Sequence, residues 1–338
     1  MVLATGKQNK YILIFLLFIL STLASTACAE PSISSTFIQL DQEKSSLEKS
    51  DWEKIFRKLH DVGIREVILQ WTAINKNPFF TPYRKMIAKI TVVDFLDIAK
   101  SNQIKLKIGL IHDPEFWVRI KERPRSLKIY FARLAHDSLQ LLRELYPLVH
   151  RHPAFAGWYI PQEIDDTNWI KPEKRKVLLL FLKEVTGEIK KVSPGTKIAI
   201  SGFSNCKLSP LGMAKFWRKI FSSAHIDSIY YQDGIGTKKQ DFCTLPLYFD
   251  ELSNLARKSG VNFVPVIEFF NLASEKEGTN LLSPESTSRV TGQIRVAAKY
   301  SGKISSFGLV ESLLSNSPFA QKVLKRSSPC NNTKKPRK

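Results

Sequence analysis

From Ser34 onward the chain alternates short runs of β-branched and aromatic residues with longer stretches in which apolar positions recur three and four apart. A continuous apolar run closed by turn residues marks a strand buried on both faces, and the three-and-four spacing marks a helix with one buried face. The first strand reads from Ser34 to Asp41, followed by a helix opened by Ser50 with Glu53 three residues on, a capping-box spacing, and ended near Gly63. Glu66 to Trp71 is the second strand; Thr91 and Asp94 open the next helix, which stops near Asn102. Lys105 to His112 is the third strand, followed by a helix from Pro124 to His150. Phe155 to Glu163 leads into a helix from Pro172 to Val192, begun by proline and stopped before Pro194-Gly195. Lys197 to Phe203 precedes a helix from Pro210 to Ser223, and Ile226 to Gln232 precedes Leu247 to Lys258, which Gly260 ends. Asn262 to Glu268 precedes Pro284 to Tyr300, and Ser305 to Glu311 precedes Pro318 to Arg326.

Strict alternation of strand and helix calls for a parallel sheet, and eight units is the number at which such a sheet closes. The expected fold is therefore α/β, a single (β/α)8 TIM barrel over residues 30–327. An open doubly wound sheet would carry a glycine-rich phosphate loop after its first strand, and no such loop follows Asp41.

The ends of the chain read differently. Lys7 and Lys10 precede an uncharged apolar run from Tyr11 to Leu20 and a small-residue stretch from Ser21 to Ala29, the order of a secretory signal peptide. The apolar run is shorter than the roughly 20 residues a membrane span needs. Cleavage after Ala29 predicts a secreted or periplasmic protein. Cys28 is the alternative, as a lipidated cysteine, but Ser25 stands where that signal usually has an aliphatic residue. No later segment has the length and apolarity of a membrane span. Residues 328–338, with Lys334, Lys335, Arg337 and Lys338, read as a basic disordered tail.

A hydrophobic fraction of 43% is ordinary for a globular chain of this size. The net charge of +20 admits contact with an anionic polymer, although the basic residues are spread over many helices. No nucleic-acid-binding module is recognisable, and nucleic acid is not an expected partner. Without Cys28 three cysteines remain, none with zinc-ligand spacing, and no cofactor is expected. Cys206 and Cys243 lie in the loops after strands five and six, which are neighbours, so a disulfide between them is expected, with Cys330 as the odd thiol.

In a TIM barrel the active site lies at the C-terminal ends of the strands. Here those ends carry Asp41, Trp71, His112-Asp113, Gln162-Glu163, Ser204-Asn205, Gln232-Asp233, Glu268 and Glu311. An acidic residue after a strand is often only a turn former. Glu163 and Glu268 stand out because each follows a buried apolar run, in GWYIPQE and FVPVIEFFN, with aromatic residues beside it. Two carboxyl groups across a small barrel can flank a glycosidic bond, one protonating the leaving oxygen and the other attacking the anomeric carbon or activating water. Aromatic rings supply flat faces for sugars, and Trp71, Trp117, Trp158, Tyr159, Trp169, Tyr230, Tyr231, Phe269 and Phe270 lie near these ends. Candidate catalytic residues are therefore Glu163 and Glu268. Gln162, Trp71, Tyr159, Tyr230, Gln232, Asp233 and Glu311 are candidates for substrate binding.

The segments FIQLD, EVILQW, GWYIPQEID, YYQDGIG and VIEFFN resemble the bacterial barrel family called domain of unknown function 4434, over about Ser34 to Ser315. That family is grouped with glycoside hydrolase-like barrels, so the resemblance implies a (β/α)8 fold and a role in carbohydrate processing. Retaining glycosidases of the related clan place their acid/base after strand four and their nucleophile after strand seven, which implies these roles for Glu163 and Glu268. They usually have asparagine before the acid/base, whereas this chain has Gln162. Three functions fit the rim: a glycoside hydrolase, a non-catalytic carbohydrate-binding barrel, and a metal-dependent isomerase or hydrolase using His112, Asp113, Glu163, Asp233 and Glu268 as ligands.

Overall fold

Eight short parallel strands pair side by side until the last meets the first: β1 (Ser35–Ile38), β2 (Glu66–Leu69), β3 (Lys105–Gly109), β4 (Phe155–Ile164), β5 (Ile198–Gly202), β6 (Ser228–Gln232), β7 (Asn262–Glu268) and β8 (Ser305–Phe307). The closed order is β1-β8-β7-β6-β5-β4-β3-β2, a TIM barrel. This architecture comes from a computed structural model that describes residues 32–74, 77–78, 89–276, 279–284 and 286–315. The expected signal peptide, the helix from Pro318 to Arg326, Cys330 and the basic tail lie outside the described residues.

The helices on the outside follow from local chemistry. They are α1 (Lys49–Asp61), α2 (Val92–Ser101), α3 (Pro124–Val149), α4 (Pro172–Val192), α5 (Pro210–Ser223), α6 (Leu245–Lys258), α7 (Thr287–Ala297) and α8 (Leu309–Leu314). The Thr91 hydroxyl accepts the Asp94 amide at 3.1 Å and the Asp94 carboxylate accepts the Thr91 amide at 3.0 Å, the expected reciprocal cap of α2. At α1 the expected Ser50/Glu53 pair is not the cap. The helix starts earlier, because the Asp51 carboxylate accepts the Glu48 amide at 3.3 Å.

Two apolar layers form the core. Phe37, Ile68, Tyr159, Ala199, Tyr230, Val264 and Val266 fill the inside of the barrel, while the larger layer lies between strands and helices. In that outer layer Phe95 meets Trp52 edge-on at 4.6 Å and Phe56 at 5.5 Å. Full burial of each such side chain contributes roughly 1.5–3 kcal/mol. At the N-terminal end of the barrel Lys107 on β3 pairs with Glu66 on β2, and the Tyr230 hydroxyl donates to the same carboxylate.

Two further expectations are corrected. Ser305 to Glu311 is not one strand: β8 ends at Phe307, Gly308 takes φ +89°, and α8 begins at once, so Glu311 lies in a helix. Cys206 and Cys243 are both free and exposed. The Cys206 thiol is directed to the Lys239 carbonyl at 3.4 Å, and the Cys243 amide is held in a turn by the Asp241 carboxylate at 2.9 Å. Being on neighbouring loops does not aim the two sulfurs at each other, as a disulfide requires.

Candidate active site

Glu163 owes its position to an irregularity in β4. The register against β5 slips between Ile160 and Ile164, so Pro161, Gln162 and Glu163 bulge out of the ladder. Proline has no N–H to offer a ladder and is at home in such a bulge, which re-aims the side chains that follow. The Glu163 carboxyl is half-buried, and its Oε1 accepts from the Gln232 amide at 2.8 Å and the Gln70 amide at 3.3 Å. With both donors on Oε1, Oε2 is the oxygen left to carry a proton. Burial lifts the carboxyl from 4.5 to about 7; the charge of Glu268 adds to the rise, while Lys239 and the Gln232 hydrogen bond oppose it. A carboxyl poised there can donate a proton near neutral pH.

Glu268 closes β7. Its Oε2 accepts the Thr237 amide at 2.7 Å and its Oε1 the Thr237 hydroxyl at 3.3 Å, so the β6–α6 loop lies over it and leaves it 2% exposed. Burial raises its pKa, against the pull of the Thr237 donors, Lys239 and Arg289. The adjacent Asp233 is fully buried, and burial together with the charge of Glu268 lifts it well above the ordinary carboxyl value. Burial thus favours the protonated form of both carboxyl groups. Asp233 is fixed by the Ile235 amide at 3.2 Å and by Gln293, which in turn accepts from Arg289 at 3.0 Å. Arg289 also donates to the Glu268 carbonyl at 3.1 Å, so α7 braces both carboxyl groups from outside the barrel.

Gly236 allows the loop to come this close. A Cβ there would lie 2.2 Å from the Phe270 carbonyl oxygen and 2.9 Å from the Glu268 Cβ. Gly236→Ala is expected to destabilise the fold by about 1–3 kcal/mol, read as a lowered denaturation midpoint, and to lower activity by displacing Glu268. Wild-type stability in this variant would show that the loop packs elsewhere.

The remaining expected site residues have more varied places. Gln232 is at Glu163, as described. The Gln162 amide donates to the Ile111 carbonyl at 2.9 Å and is 3% exposed, so it is held against the backbone beyond β3. Tyr159 and Tyr230 are barrel core, 0% and 1% exposed. Their hydroxyls are spent on Ser201 at 2.6 Å and on Glu66, which removes them from direct substrate contact. Trp71 stacks on His112 with centroids 4.3 Å apart and donates to the Leu40 carbonyl at 3.0 Å. Glu311 pairs with Lys44 at 3.0 Å, and the same ammonium meets Asp41. Trp158, bonded to Ser193 at 3.1 Å, and Trp169, stacked on Phe131 at 5.8 Å, belong to the outer core. The five residues weighed as a metal set do not converge: among the described residues no three His, Cys, Asp or Glu side chains gather in a group that could hold a metal ion.

Three contributors escaped the sequence reading. Gln70, one residue beyond β2, is 4% exposed, and its carbonyl oxygen has no partner among the described residues. Gly109 on β3 lets that strand come close to the Gln70 backbone, since a Cβ there would fall 2.1 Å from the Gln70 main-chain carbonyl oxygen. Asp166 is fully buried and accepts from the Ser204 hydroxyl at 2.9 Å and the Asn205 amide at 2.7 Å, locking the loop after β4 to the loop after β5. Lys239 follows the YYQDGIG turn, and its charge acts on both glutamates. Only the pair of aspartates in GWYIPQEIDD hinted at the loop lock; nothing in the residue pattern marks Gln70 or Lys239.

Glu163 is expected to tax stability at alkaline pH. Its folded pKa lies above the unfolded one, so the stability it contributes is fully present below about pH 4.5 and is lost as pH rises through about 7. Glu163→Gln keeps an acceptor for Gln70 and Gln232 and removes the ionisation. The variant is expected to melt above the wild type at pH 8 and level with it at pH 4, as thermal unfolding at the two values would show; a pH-independent difference would contradict the shift.

Comparison with known proteins gives three results. The profile of the family described as "Domain of unknown function (DUF4434)" matches residues 33–322. The uncharacterized protein YbcH of Escherichia coli K12 is 28% identical over 227 residues, covering 66% of this chain and 72% of its own. Among solved structures, a fucosidase-like protein of Bacteroides thetaiotaomicron superposes with a TM-score of 0.67 at 19% identity, covering 88% of this chain and 92% of its own. A GH18 chitinase of Pseudoalteromonas aurantia superposes at 0.53 and 13% identity, covering 87% and 100%. The fold is thus one that glycoside hydrolases use.

Proposed function

The chain belongs to the domain of unknown function 4434 family, and on that premise we propose that it is an exported glycoside hydrolase with Glu163 as general acid/base and Glu268 as nucleophile. The observation that carries this reading is Glu163 itself: a half-buried carboxyl on a bulge at the C-terminal rim, its pKa lifted to about 7, with a second carboxyl near enough to act on it. Export follows from residues 1–29 as read from the sequence. In the first step Glu163 gives its Oε2 proton to the leaving oxygen while Glu268 bonds to the anomeric carbon. Water then displaces Glu268, with Glu163 taking the proton back. Gln70 and Gln232 hold the acid in place, and burial together with the charge of Glu268 lifts Asp233 toward its protonated form. Incubating the purified protein with a panel of polysaccharides and aryl glycosides tests the proposal; reducing ends or released phenol support it, and a panel left intact removes it.

One observation favours a second reading, a carbohydrate-binding barrel without turnover. Glu268 is 2% exposed beneath Gly236 and Thr237. Should that loop stay in place, sugar could rest on the rim without meeting the nucleophile. Binding without hydrolysis across the same panel would select this reading.

A further inference from the structure

Lys239 is placed unlike the other lysines of the rim. Its ammonium lies over the ring of Phe203, 3.7 Å from the centroid, and among the described residues no carboxylate is within ion-pairing distance of it. Its backbone is fixed, since the Lys239 amide donates to the Gly234 carbonyl at 2.8 Å and its carbonyl accepts from Cys206. The other face of the neighbourhood is aromatic. Trp117, 37% exposed, tilts against the same Phe203 at 6.0 Å. Lys207 and Lys238 are exposed on the two loops that flank this spot.

A cation held on an aromatic face with no carboxylate in ion-pairing contact can still take a counter-ion. The position is poised for an anion that arrives with a ligand, beside an exposed indole suited to a sugar ring. We propose that Lys239 is a specificity-determining contact for an anionic glycan, one whose sugars carry carboxylate or sulfate groups, with Trp117 as the platform beside it. This rests on the hydrolase reading only for the location of the substrate cleft. The excess of Lys and Arg (51) over Asp and Glu (31) draws polyanions to the molecule as a whole, and Lys239 turns that attraction into a preference at one point of the rim. The same charge lowers the pKa of both glutamates, so its neutralisation by a bound anion would also move Glu163 toward its protonated, donating form.

The test compares polygalacturonate with its carboxyl-reduced form, and dextran sulfate with dextran, as ligands of the full chain at about 0.15 M ionic strength. The wild type is expected to bind at least one acidic polymer about tenfold or more tightly than its neutral counterpart. Lys239→Gln should lose most of that preference, and Lys239→Arg should keep it. Lys219→Gln, an equal charge change on the exposed face of α5, should leave it unchanged. Where a polymer is cleaved, Lys239→Gln should raise KM more than it lowers kcat. Equal binding of acidic and neutral forms, or an equal loss in Lys219→Gln, overturns the proposal. A chain that prefers acidic polymers through Lys239 yet cleaves nothing would end the hydrolase reading and sustain this one. Cleavage of neutral glycans untouched by Lys239→Gln would do the reverse.

Discussion

Glu268→Ala is expected to abolish turnover, by roughly 10⁴-fold or more, the scale on which losing a covalent nucleophile acts. The residue does two things that no neighbour can take over. It is the last residue of β7 at the rim, and its two carboxyl oxygens hold Thr237 of the β6–α6 loop. Asp233 cannot substitute, being fully buried and engaged with Ile235 and Gln293. Removing Glu268 also leaves space beside Gly236, whose position is set against the Glu268 side chain. A small anion such as azide can enter that space and attack the anomeric carbon from the vacated side, giving a product of inverted configuration. Chemical rescue with inversion, followed by proton NMR of the anomeric signals, is the decisive reading. Unimpaired turnover in the alanine variant would show that Glu268 only anchors the β6–α6 loop, and stability would then fall in place of activity.

The second large effect belongs to Glu163. Glu163→Ala is expected to lower hydrolysis of natural glycans by about 10²–10⁴-fold, the usual contribution of general acid–base catalysis. Aryl glycosides with very good leaving groups should be spared in their first step, because their oxygen departs with little need of a proton. In the wild type the acid function should fade as pH rises through about 7, where Glu163 ionises. Glu163→Gln should lose that alkaline limb while keeping the amide contacts from Gln70 and Gln232. An identical alkaline limb in wild type and Glu163→Gln would assign the ionisation to another group.

The eight strands and the first seven helices were legible in the residue order because each is local. Proline at the first turn of α3, α4 and α5, the Thr91/Asp94 cap and the apolar run of β7 act within a few residues, and α4, α5 and β7 have the expected bounds. So was the pair of glutamates, since a parallel barrel puts every strand's C-terminal end on one rim. Boundaries failed where competing local signals were close together, as at Glu48 against Ser50 and at Gly308, where a left-handed turn let a helix replace the end of a strand.

What the order of residues determined alone was the barrel and the residues that its strands carry to the C-terminal rim. Only the tertiary structure decided which polar side chains face the rim and which are spent inside. Gln162 and Gln70 carry the same amide, yet the bulge in β4 turns the first to the Ile111 carbonyl while the second meets Glu163. Tyr159 and Tyr230 look like sugar contacts in the sequence, but the barrel interior buries them. The upward shift of each of the three carboxyl groups is likewise a tertiary property, because it depends on burial and on Lys239 and Arg289 arriving from loop and helix. Propensity and periodicity act along the chain over a few residues. Burial and charge act through space, between groups that only the closed barrel brings together.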